Sequence, residues 1–307
     1  MNLLFSENLP LEELISLKSS YFRNYGILES YKFCEHIAKK HYENFPVGSF
    51  LLPKEERRFL HSIYAFLRLA DDIADSQELQ LSKEDRINAL EILEKNVRSF
   101  KNFDLITNPI FICLKDTIEK KELPIEPFIK LLTAFKMDVN FSQPNNWNDL
   151  ENYCAFSANP VGELVLRIFA EYSNKTINFS NLICTGLQLV NFWQDLSVDI
   201  NIGRLYIPKD LLIHYKCEGL DISINQNKEK VGLIIKEILS KTSDYFIDGW
   251  KLVWHLKNKR LRFEINATII GGLRVLRKEK KYGYNLLFKR PKLNYFDYIY
   301  ILLNALI

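Results

Sequence analysis

Apolar residues recur every three or four positions along most of the chain, and few prolines or glycines interrupt them. This spacing places the apolar side chains on one face of an α-helix, in which each turn contains about 3.6 residues. Breaks in the pattern fall at short runs of Asn, Gly and Pro, which are typical of loops. The pattern predicts helices over residues 11–22, 31–42, 53–75, 127–141, 149–156, 185–199, 227–256 and 261–281, and two more that begin near Ser82 and Pro109.

The composition narrows the fold class. The chain has 307 residues, of which 47% are hydrophobic, and only 11 are Gly and 10 are Pro. Long amphipathic periods with so few turn residues favour an all-α protein with a large core. The length allows one domain or at most two. We predict a single domain over residues 1–307.

Charge, cysteine content and hydropathy disfavour several classes of protein. A net charge of +3 without a basic stripe gives no support for nucleic-acid binding. The five cysteines are scattered and lack C-x-x-C spacing, which disfavours both a disulfide framework and a zinc site. No uncharged apolar run is long enough to predict a membrane span, and the first residues lack the features of a secretion signal. We therefore expect a reducing compartment, the cytoplasm.

Polar side chains line one face of the predicted helix over residues 185–199. At about 100° per residue, Asn191, Asp195 and Asp199 lie within about 80° of one another, and Gln188 points into the middle of that arc. Two carboxylates one turn apart destabilise a helix by about 0.2 to 0.5 kcal/mol unless a cation binds them. Oxygen ligands without His or Cys suit Mg²⁺. A solvated polar face is the alternative, because carboxylates are usually exposed.

A second polar stripe occurs on the predicted helix over residues 53–75. Tyr64, Arg68, Asp71 and Asp75 fall within about 60° of one another, while apolar residues cover most of the remaining surface. A helix with so few polar positions is typically buried, and buried charges need partners. A salt bridge from Arg68 to Asp71 or Asp72 would neutralise one carboxylate. It would leave the others on the two helices without a counter-charge.

The two acidic faces together indicate a type of reaction. If both open onto one cavity, their carboxylates can hold Mg²⁺ ions that neutralise a diphosphate and make it a leaving group. Such a site would ionise an allylic or cyclopropylcarbinyl diphosphate. Phosphoryl transfer on a nucleotide is disfavoured, because the chain contains neither G-x-x-x-x-G-K-[ST] nor G-x-G-x-x-G.

An Asn-Pro pair interrupts an otherwise apolar stretch between Tyr153 and Gly162. Pro160 removes a backbone hydrogen bond and bends a helix. The break would let backbone carbonyls and the Ser157 hydroxyl face a cavity, where they could hold a water molecule. A plain junction between two helices is the alternative.

Two further segments have features that bear on function. Residues 44–53 have the composition of a loop, which could fold over a ligand or merely connect two helices. The tail, residues 293–307, is apolar and rich in tyrosine. At about 1.5 Å per residue it is too short to cross a bilayer core of about 30 Å, but it suits a membrane interface. Packing onto the protein's own core is the alternative.

Residues 43–291 resemble the squalene/phytoene synthase family. The resemblance rests on the paired acidic motifs and on Gly203-Arg204-Leu205-Tyr206-Ile207-Pro208. Within the family, segments 44–47, 157–162 and 271–276 are similar to the hydroxysqualene synthases of bacterial hopanoid pathways. The resemblance implies a helical bundle with a central cavity, the isoprenoid-synthase fold, with a Mg²⁺ cluster and an isoprenoid diphosphate substrate. It further implies conversion of presqualene diphosphate and water to hydroxysqualene and diphosphate, a carbon-oxygen lyase reaction.

The resemblance also implies roles for individual residues. The metal ligands would be Asp71, Asp72, Asp75, Asn191, Asp195 and Asp199. The substrate-binding residues would be Tyr64, Arg68, Gln188, Asn191, Arg204 and Tyr206. The catalytic residues would be Tyr153, Arg68, Arg204, Asp71, Asp75, Asp195 and Asp199.

Two other functions remain open from the sequence. Relatives that condense two prenyl diphosphates to squalene or phytoene usually have Ala-Gly in place of Ala158-Asn159 and lack a proline at Pro160, and this departure puts condensation in doubt. A non-catalytic scaffold with the same fold is disfavoured, because both acidic motifs are intact. The resemblance implies an enzyme of the cytoplasm, or of the inner face of the cell membrane as a peripheral protein. It would pass its product to a downstream squalene-forming oxidoreductase.

Overall fold

The all-α fold is confirmed by a computed structural model, which describes residues 11–22, 25–40, 52–75, 81–102, 105–217, 222 and 227–306. No strand occurs among these residues. Their helices are α1 Leu11–Ile15, α2 Ile27–Lys40, α3 Lys54–Ala74, α4 Lys83–Ser99, α5 Pro109–Lys120, α6 Glu126–Val139, α7 Trp147–Ser157, α8 Asn159–Ile168, α9 Asn174–Gln194, α10 Leu196–Asp199, α11 Lys209–His214, α12 Lys228–Gly249, α13 Leu252–His255, α14 Lys259–Tyr282 and α15 Tyr295–Ala305.

The chain forms two compact units. Unit 1 comprises Met1–Asn140 and Leu164–Ala170, and unit 2 comprises Phe141–Glu163 and Glu171–Ile307. The first acidic stripe belongs to unit 1 and the second to unit 2. The prediction that residues 1–307 form one domain stays a prediction.

The core of unit 1 forms around α3. Phe66, in the second half of this helix, is fully buried and meets Phe111 of α5 and Phe128 of α6 edge-on, with ring centroids 6.2 Å apart in both pairs. The buried Ser62 hydroxyl is satisfied by the Thr117 hydroxyl at 2.7 Å. The predicted burial of this helix is therefore confirmed.

Local signals set the starts of several helices. Ser82 caps α4 by accepting a hydrogen bond from the Asp85 backbone N–H at 3.0 Å, and the Asp85 carboxylate accepts one from the Ser82 backbone in return. Asn108 caps α5, whose first residue is Pro109. Pro127 is the second residue of α6. The predicted starts near these residues are confirmed.

The first predicted helix is shorter than expected. The apolar pattern predicts a helix over residues 11–22, but α1 ends at Ile15. The Ser16 and Ser19 hydroxyls accept hydrogen bonds from backbone N–H groups two residues further on. Serine side chains that bind nearby backbone groups compete with helix formation. The predicted helix over residues 227–256 is likewise divided, into α12 and α13.

Close backbone approach organises unit 2. Gly272 of α14 lies so near the Phe246 ring of α12 that an added Cβ would come within 2.5 Å of it. The same Cβ would lie 3.3 Å from Leu187 of α9. A glycine is therefore required where these three helices meet, in agreement with the tight packing that a Gly-Gly pair favours.

The C-terminal helix α15 is attached to α14 through a buried carboxylate. Asp297 is only 1% exposed. It accepts a hydrogen bond from Arg274 Nε at 2.7 Å and forms an ion pair with Lys278. Burial opposes its charge, but bonds from Lys278, the Asn294 backbone and Arg274 lower its pKa from 3.8 to about 2. Among the described residues, no helix is sufficiently long and apolar to cross a membrane.

We expect Asp297→Asn to lower the free energy of unfolding by about 2 kcal/mol at neutral pH. The folded-state pKa is depressed, so the stabilisation by Asp297 is present above pH 4 and is lost as the pH falls towards 2. Urea unfolding of both proteins at several pH values measures the difference. A difference that stays constant as the pH falls from 5 would contradict this role for the charge.

Candidate active site

The first acidic stripe lies along one side of α3. Tyr64, Arg68 and Asp71 are half-buried, while most of their neighbours on the helix are fully buried. Asp75 follows the last residue of α3, is exposed, and donates its backbone N–H to the Asp71 carbonyl oxygen at 2.9 Å. The four residues expected to share one face therefore do so.

Arg68 pairs with two carboxylates of its own helix. Its guanidinium nitrogens lie 3.0 Å from Asp71 Oδ2 and 2.5 Å from Asp72 Oδ1. Burial opposes the guanidinium charge, but the charges of Asp71 and Asp72 prevail and raise the pKa of Arg68. The expected salt bridge is thus present and holds Arg68 in place. Because Asp72 is buried in this pair, Asp71 and Asp75 are the more accessible carboxylates, and a metal contact by Asp72 stays a prediction.

The second acidic face spans the break between α9 and α10. The pattern predicts one helix through residue 199, but α9 ends at Gln194 and α10 begins at Leu196, with Asp195 between them. The Asp195 carbonyl oxygen accepts both Val198 N–H at 2.7 Å and Asp199 N–H at 2.9 Å, which tightens the turn. Asn191, Asp195 and Asp199 remain half-buried, as does Gln188 one turn earlier.

A left-handed turn after α10 returns the chain to this face. Gly203 has φ +77°, a conformation that side chains with a Cβ rarely adopt. Arg204 then donates its backbone N–H to the Asp199 carbonyl oxygen at 2.8 Å. The Gly-Arg pair therefore brings Arg204, a predicted diphosphate-binding residue, next to the second acidic motif.

Asp195 has a cationic partner that the sequence pattern did not identify. The Arg290 guanidinium contacts both carboxylate oxygens, with Nη2 3.2 Å from Oδ2. Burial of Asp195 nevertheless outweighs the guanidinium charge and raises the pKa of the carboxyl. Arg290 lies eight residues beyond the end of α14. In the sequence, only the resemblance to the family, whose matched segment includes Arg290, could have indicated a role for this residue.

A buried acid also lies near this pair. Glu279 of α14 has no exposed surface, and neither carboxyl oxygen has a hydrogen-bond partner among the described residues. Burial raises the pKa of Glu279 well above its usual range, and the nearby negative charge of Asp195 raises it further. The run Arg277-Lys278-Glu279-Lys280-Lys281 suggests a solvated surface; only the helical spacing of Glu279 from Gly272, Val275 and Leu276 indicates burial.

Aromatic side chains form a wall beside the second acidic face. Tyr206 stacks on Phe192 of α9 with centroids 3.7 Å apart and planes inclined by 12°. Tyr153 of α7 lies 5.6 Å from the Phe192 ring and 6.2 Å from the Tyr206 ring. The structure thus brings together two predicted site residues, Tyr153 and Tyr206, that are distant in the sequence.

The expected break after Tyr153 is present. α7 ends at Ser157, α8 begins at Asn159, and Pro160 is the second residue of α8. The Asn159 side chain accepts a hydrogen bond from the Thr185 hydroxyl of α9 at 3.1 Å. The Ser157 hydroxyl oxygen is buried without a hydrogen-bond partner among the described residues. The junction therefore leaves a buried polar atom to be satisfied, and a water molecule held there stays a prediction.

The oxygen donors of each acidic face, taken separately, suit a hard cation. α3 and its C-cap offer Asp71 and Asp75, and the second face offers Asn191, Asp195 and Asp199. In the part of the chain that the structure describes, no three His, Cys, Asp or Glu side chains gather to hold a metal ion. Mg²⁺ typically takes one or two protein carboxylates and completes its shell with water and substrate phosphates. This donor chemistry fits Mg²⁺, which stays a prediction.

Two expectations lie beyond these observations. The loop predicted ahead of α3 includes residues 44–51, which lie outside the described residues, as does the segment 44–47 of the family resemblance. The meeting of the two acidic faces at one pocket also stays a prediction.

The fold defines the class of the protein: it is the helical fold of the isoprenoid synthases. The sequence profile described as squalene/phytoene synthase matches residues 38–297, and the chain belongs to that family. Enzymes of the family act on prenyl diphosphates.

Named relatives include both hydroxysqualene and phytoene synthases. The chain is 31% identical to a hydroxysqualene synthase of Sinorhizobium fredii over 228 residues, which cover 74% of this chain and 76% of that protein. It is 27% identical to a phytoene synthase of Mycobacterium bovis over 237 residues, 76% of each chain. The crystal structure of a squalene synthase from Alicyclobacillus acidocaldarius superposes with a TM-score of 0.76 at 30% identity, covering 84% of this chain and 95% of that one.

We expect Glu279→Gln to make the protein more stable at neutral pH and no more stable at pH 4. In the unfolded state the Glu279 carboxyl loses its proton above its ordinary pKa of 4.5, whereas the raised pKa makes the folded state retain that proton to higher pH. The carboxyl therefore lowers the stability of the fold as the pH rises above 4.5. Each pKa unit between the two states corresponds to about 1.4 kcal/mol.

Urea unfolding between pH 4 and 8 measures this effect. Glu229→Gln, at an exposed position of α12, is the matched control and should follow the wild type. A loss of stability in Glu279→Gln that is equal at every pH would show that the buried carboxyl is not held protonated.

Proposed function

We propose that the protein converts presqualene diphosphate and water to hydroxysqualene and diphosphate. Family membership indicates a prenyl diphosphate as the substrate. The main observation in favour of water capture is the buried Ser157 hydroxyl at the break between α7 and α8. The 31% identity to a hydroxysqualene synthase supports the same choice.

Ser157 is suitably placed to hold the reacting water. It lies four residues after Tyr153 on α7, so the two side chains project from the same side of the helix. The Tyr153 ring in turn packs beside Phe192, which follows Asn191 on α9. A water bound by the Ser157 hydroxyl would therefore lie on the side of α7 that faces the aromatic wall and the second acidic motif.

In this proposal the residues of the site have separate roles. Arg68, Arg204, Tyr64 and Gln188 bind and orient the diphosphate, and the Asp72 carboxylate keeps Arg68 in position. Asp71, Asp75, Asn191, Asp195 and Asp199 would hold Mg²⁺, which would supply positive charge to neutralise the diphosphate oxygens and improve the leaving group. Tyr153 and Tyr206, whose rings present negative π-faces, stabilise the carbocation that ionisation leaves on the substrate. Water adds to this cation, its oxygen forms the new bond to carbon, and one proton is released.

Condensation of two prenyl diphosphates is the second candidate. The 27% identity to a phytoene synthase favours it. Against it stands the Ala158-Asn159-Pro160 sequence, which ends α7 and attaches Asn159 to Thr185 of α9. A condensing enzyme would be a transferase that consumes farnesyl diphosphate without presqualene diphosphate.

The proposal extends to where the enzyme works. Both presqualene diphosphate and hydroxysqualene carry long hydrocarbon chains that partition into membranes. The protein therefore acts peripherally at the inner face of the cell membrane and passes hydroxysqualene to a squalene-forming oxidoreductase.

Purified protein supplied with presqualene diphosphate and Mg²⁺, without NADPH, should yield hydroxysqualene, measured by mass spectrometry. Asp195→Asn and Asp75→Asn should each lower the rate by about 100-fold or more, because each removes a charged ligand. Asp248→Asn, at an exposed position of α12, should have no effect. Recovery of unchanged presqualene diphosphate, with consumption of farnesyl diphosphate alone, would favour condensation.

Ser157→Ala should change the products more than the rate of substrate consumption. Without the hydroxyl that holds water, the cation should lose a proton to give alkenes in place of hydroxysqualene. Ser240→Ala, an exposed serine on α12, is the control. If the product ratio is the same in the wild type and in Ser157→Ala, this serine does not position the water.

A further inference from the structure

The exposed surface of α15 is apolar. Its only charged residue, Asp297, is buried, as are Ile301 and Ala305, so apolar side chains lie on both the covered and the exposed side of the helix. Exposed fractions between 38% and 76% are found for Tyr295, Phe296, Ile299, Tyr300, Leu302, Leu303 and, one residue beyond the helix, Leu306. At about 100° per residue these side chains cover an arc of about 160°. A helix that is apolar all round is expected to be covered, and an exposed patch of this kind marks an interaction surface.

A cavity of about 480 Å³ extends this surface to two neighbouring helices of unit 2. Trp254 of α13, Arg277 of α14 and Tyr300 of α15 all line it. Trp254 is 71% exposed and thus adds a second large aromatic side chain at the edge of the apolar face. The cavity walls combine aromatic rings with guanidinium groups, a pairing that suits an amphiphilic anion.

The two arginines of this cavity differ in their contacts. Arg274 is held by Asp297 and lies over the Tyr300 ring at 4.8 Å from the centroid. Arg277 is exposed and forms no ion pair with any described residue. Its guanidinium is therefore available to bind a phosphate group.

Positive charge is concentrated in the segment that leads from the cavity residue Arg277 to the start of α15. Between residues 277 and 292 the only acid is Glu279, which is buried. The exposed basic residues of this segment are Arg277, Lys280, Lys281, Lys289, Arg290 and Lys292. Because the whole chain has a net charge of only +3, this is a local concentration of positive charge. It complements the negative surface of a bilayer that contains anionic lipids.

We propose that α15 and the adjoining cavity form a docking surface for an anionic phospholipid bilayer. α15 lies in the plane of the interface with its apolar face in the headgroup and acyl boundary, since its 11 residues extend only about 16 Å. Arg277 binds a lipid phosphate at the cavity, and the lysines contact neighbouring headgroups. The buried Asp297 holds α15 on α14 so that its apolar face points outward. This inference deepens the proposed function, but docking requires no turnover and is tested apart from it.

The test is sedimentation of the purified full chain with vesicles, in the absence of substrate. One set of vesicles contains phosphatidylcholine alone, and the other contains equal amounts of phosphatidylcholine and phosphatidylglycerol. The wild type should bind the second set more tightly, and added salt should weaken that binding. Phe296→Ser combined with Leu303→Ser should reduce binding by about tenfold or more.

Matched variants separate this surface from general hydrophobicity and charge. Ile213→Ser combined with Leu233→Ser removes two apolar side chains that are 64% and 51% exposed on α11 and α12, and should not change binding. Arg277→Gln should weaken binding to the anionic vesicles and leave binding to phosphatidylcholine unchanged. Circular dichroism and thermal unfolding should match the wild type for every variant, because the substituted side chains are exposed.

Three results would overturn the proposal. The first is a folded wild type that does not bind either set of vesicles. The second is an equal loss of binding in the α15 and control variants. The third is a dimer, detected by analytical ultracentrifugation, that dissociates when Phe296→Ser and Leu303→Ser are introduced. That result would mean that a second copy of the chain, not a bilayer, covers the apolar face of α15. Turnover of detergent-solubilised presqualene diphosphate, measured separately, tests the proposed function without vesicles and should be unaffected by the α15 variants.

Discussion

The structure depends on the pairing of carboxylates with cationic side chains inside or at the edge of a helical core. A carboxylate removed from water is costly unless a positive partner or a hydrogen bond compensates it. Arg68 compensates Asp71 and Asp72, Arg290 compensates Asp195, and Arg274 with Lys278 compensates Asp297. In each case the pairing fixes the direction of a side chain, in the two candidate acidic faces or between α14 and α15.

In the proposed reaction, these pairs would let one set of residues serve both the metal ion and the diphosphate. An acidic face with an arginine beside it presents both kinds of charge within a few ångströms: the carboxylates suit a divalent cation, and the guanidinium suits phosphate oxygens. The Arg68 pair in unit 1 and the Arg290 pair in unit 2 have this composition. Glu279 differs from these carboxylates, since it is buried without a hydrogen-bond partner among the described residues, and burial raises the pKa of its carboxyl.

The same constraint connects the site to the surface of unit 2. α14 carries Glu279, near Asp195, on its buried side, and Arg274 with Lys278, which bind Asp297, on another. Fixing the single charge of α15 in this way leaves only apolar and aromatic side chains on its exposed surface. One helix, α14, thus contacts the second acidic face and also holds α15, whose exposed face is proposed to bind lipid.

The sequence by itself determined the all-α fold, most helix positions, the polar stripes on α3 and α9 and the break near Pro160, because these follow from local periodicity and from proline and glycine chemistry. It did not locate the helix break at Asp195, the pairing of Arg290 with Asp195, the burial of Glu279 within a charged run, or the outward apolar face of α15. Those features arise where segments distant in the chain meet, so that neighbours such as Phe246 or Asp297 decide which face of a helix is covered. Periodicity gives the direction of each side chain from its own helix axis; only tertiary packing decides what lies in that direction.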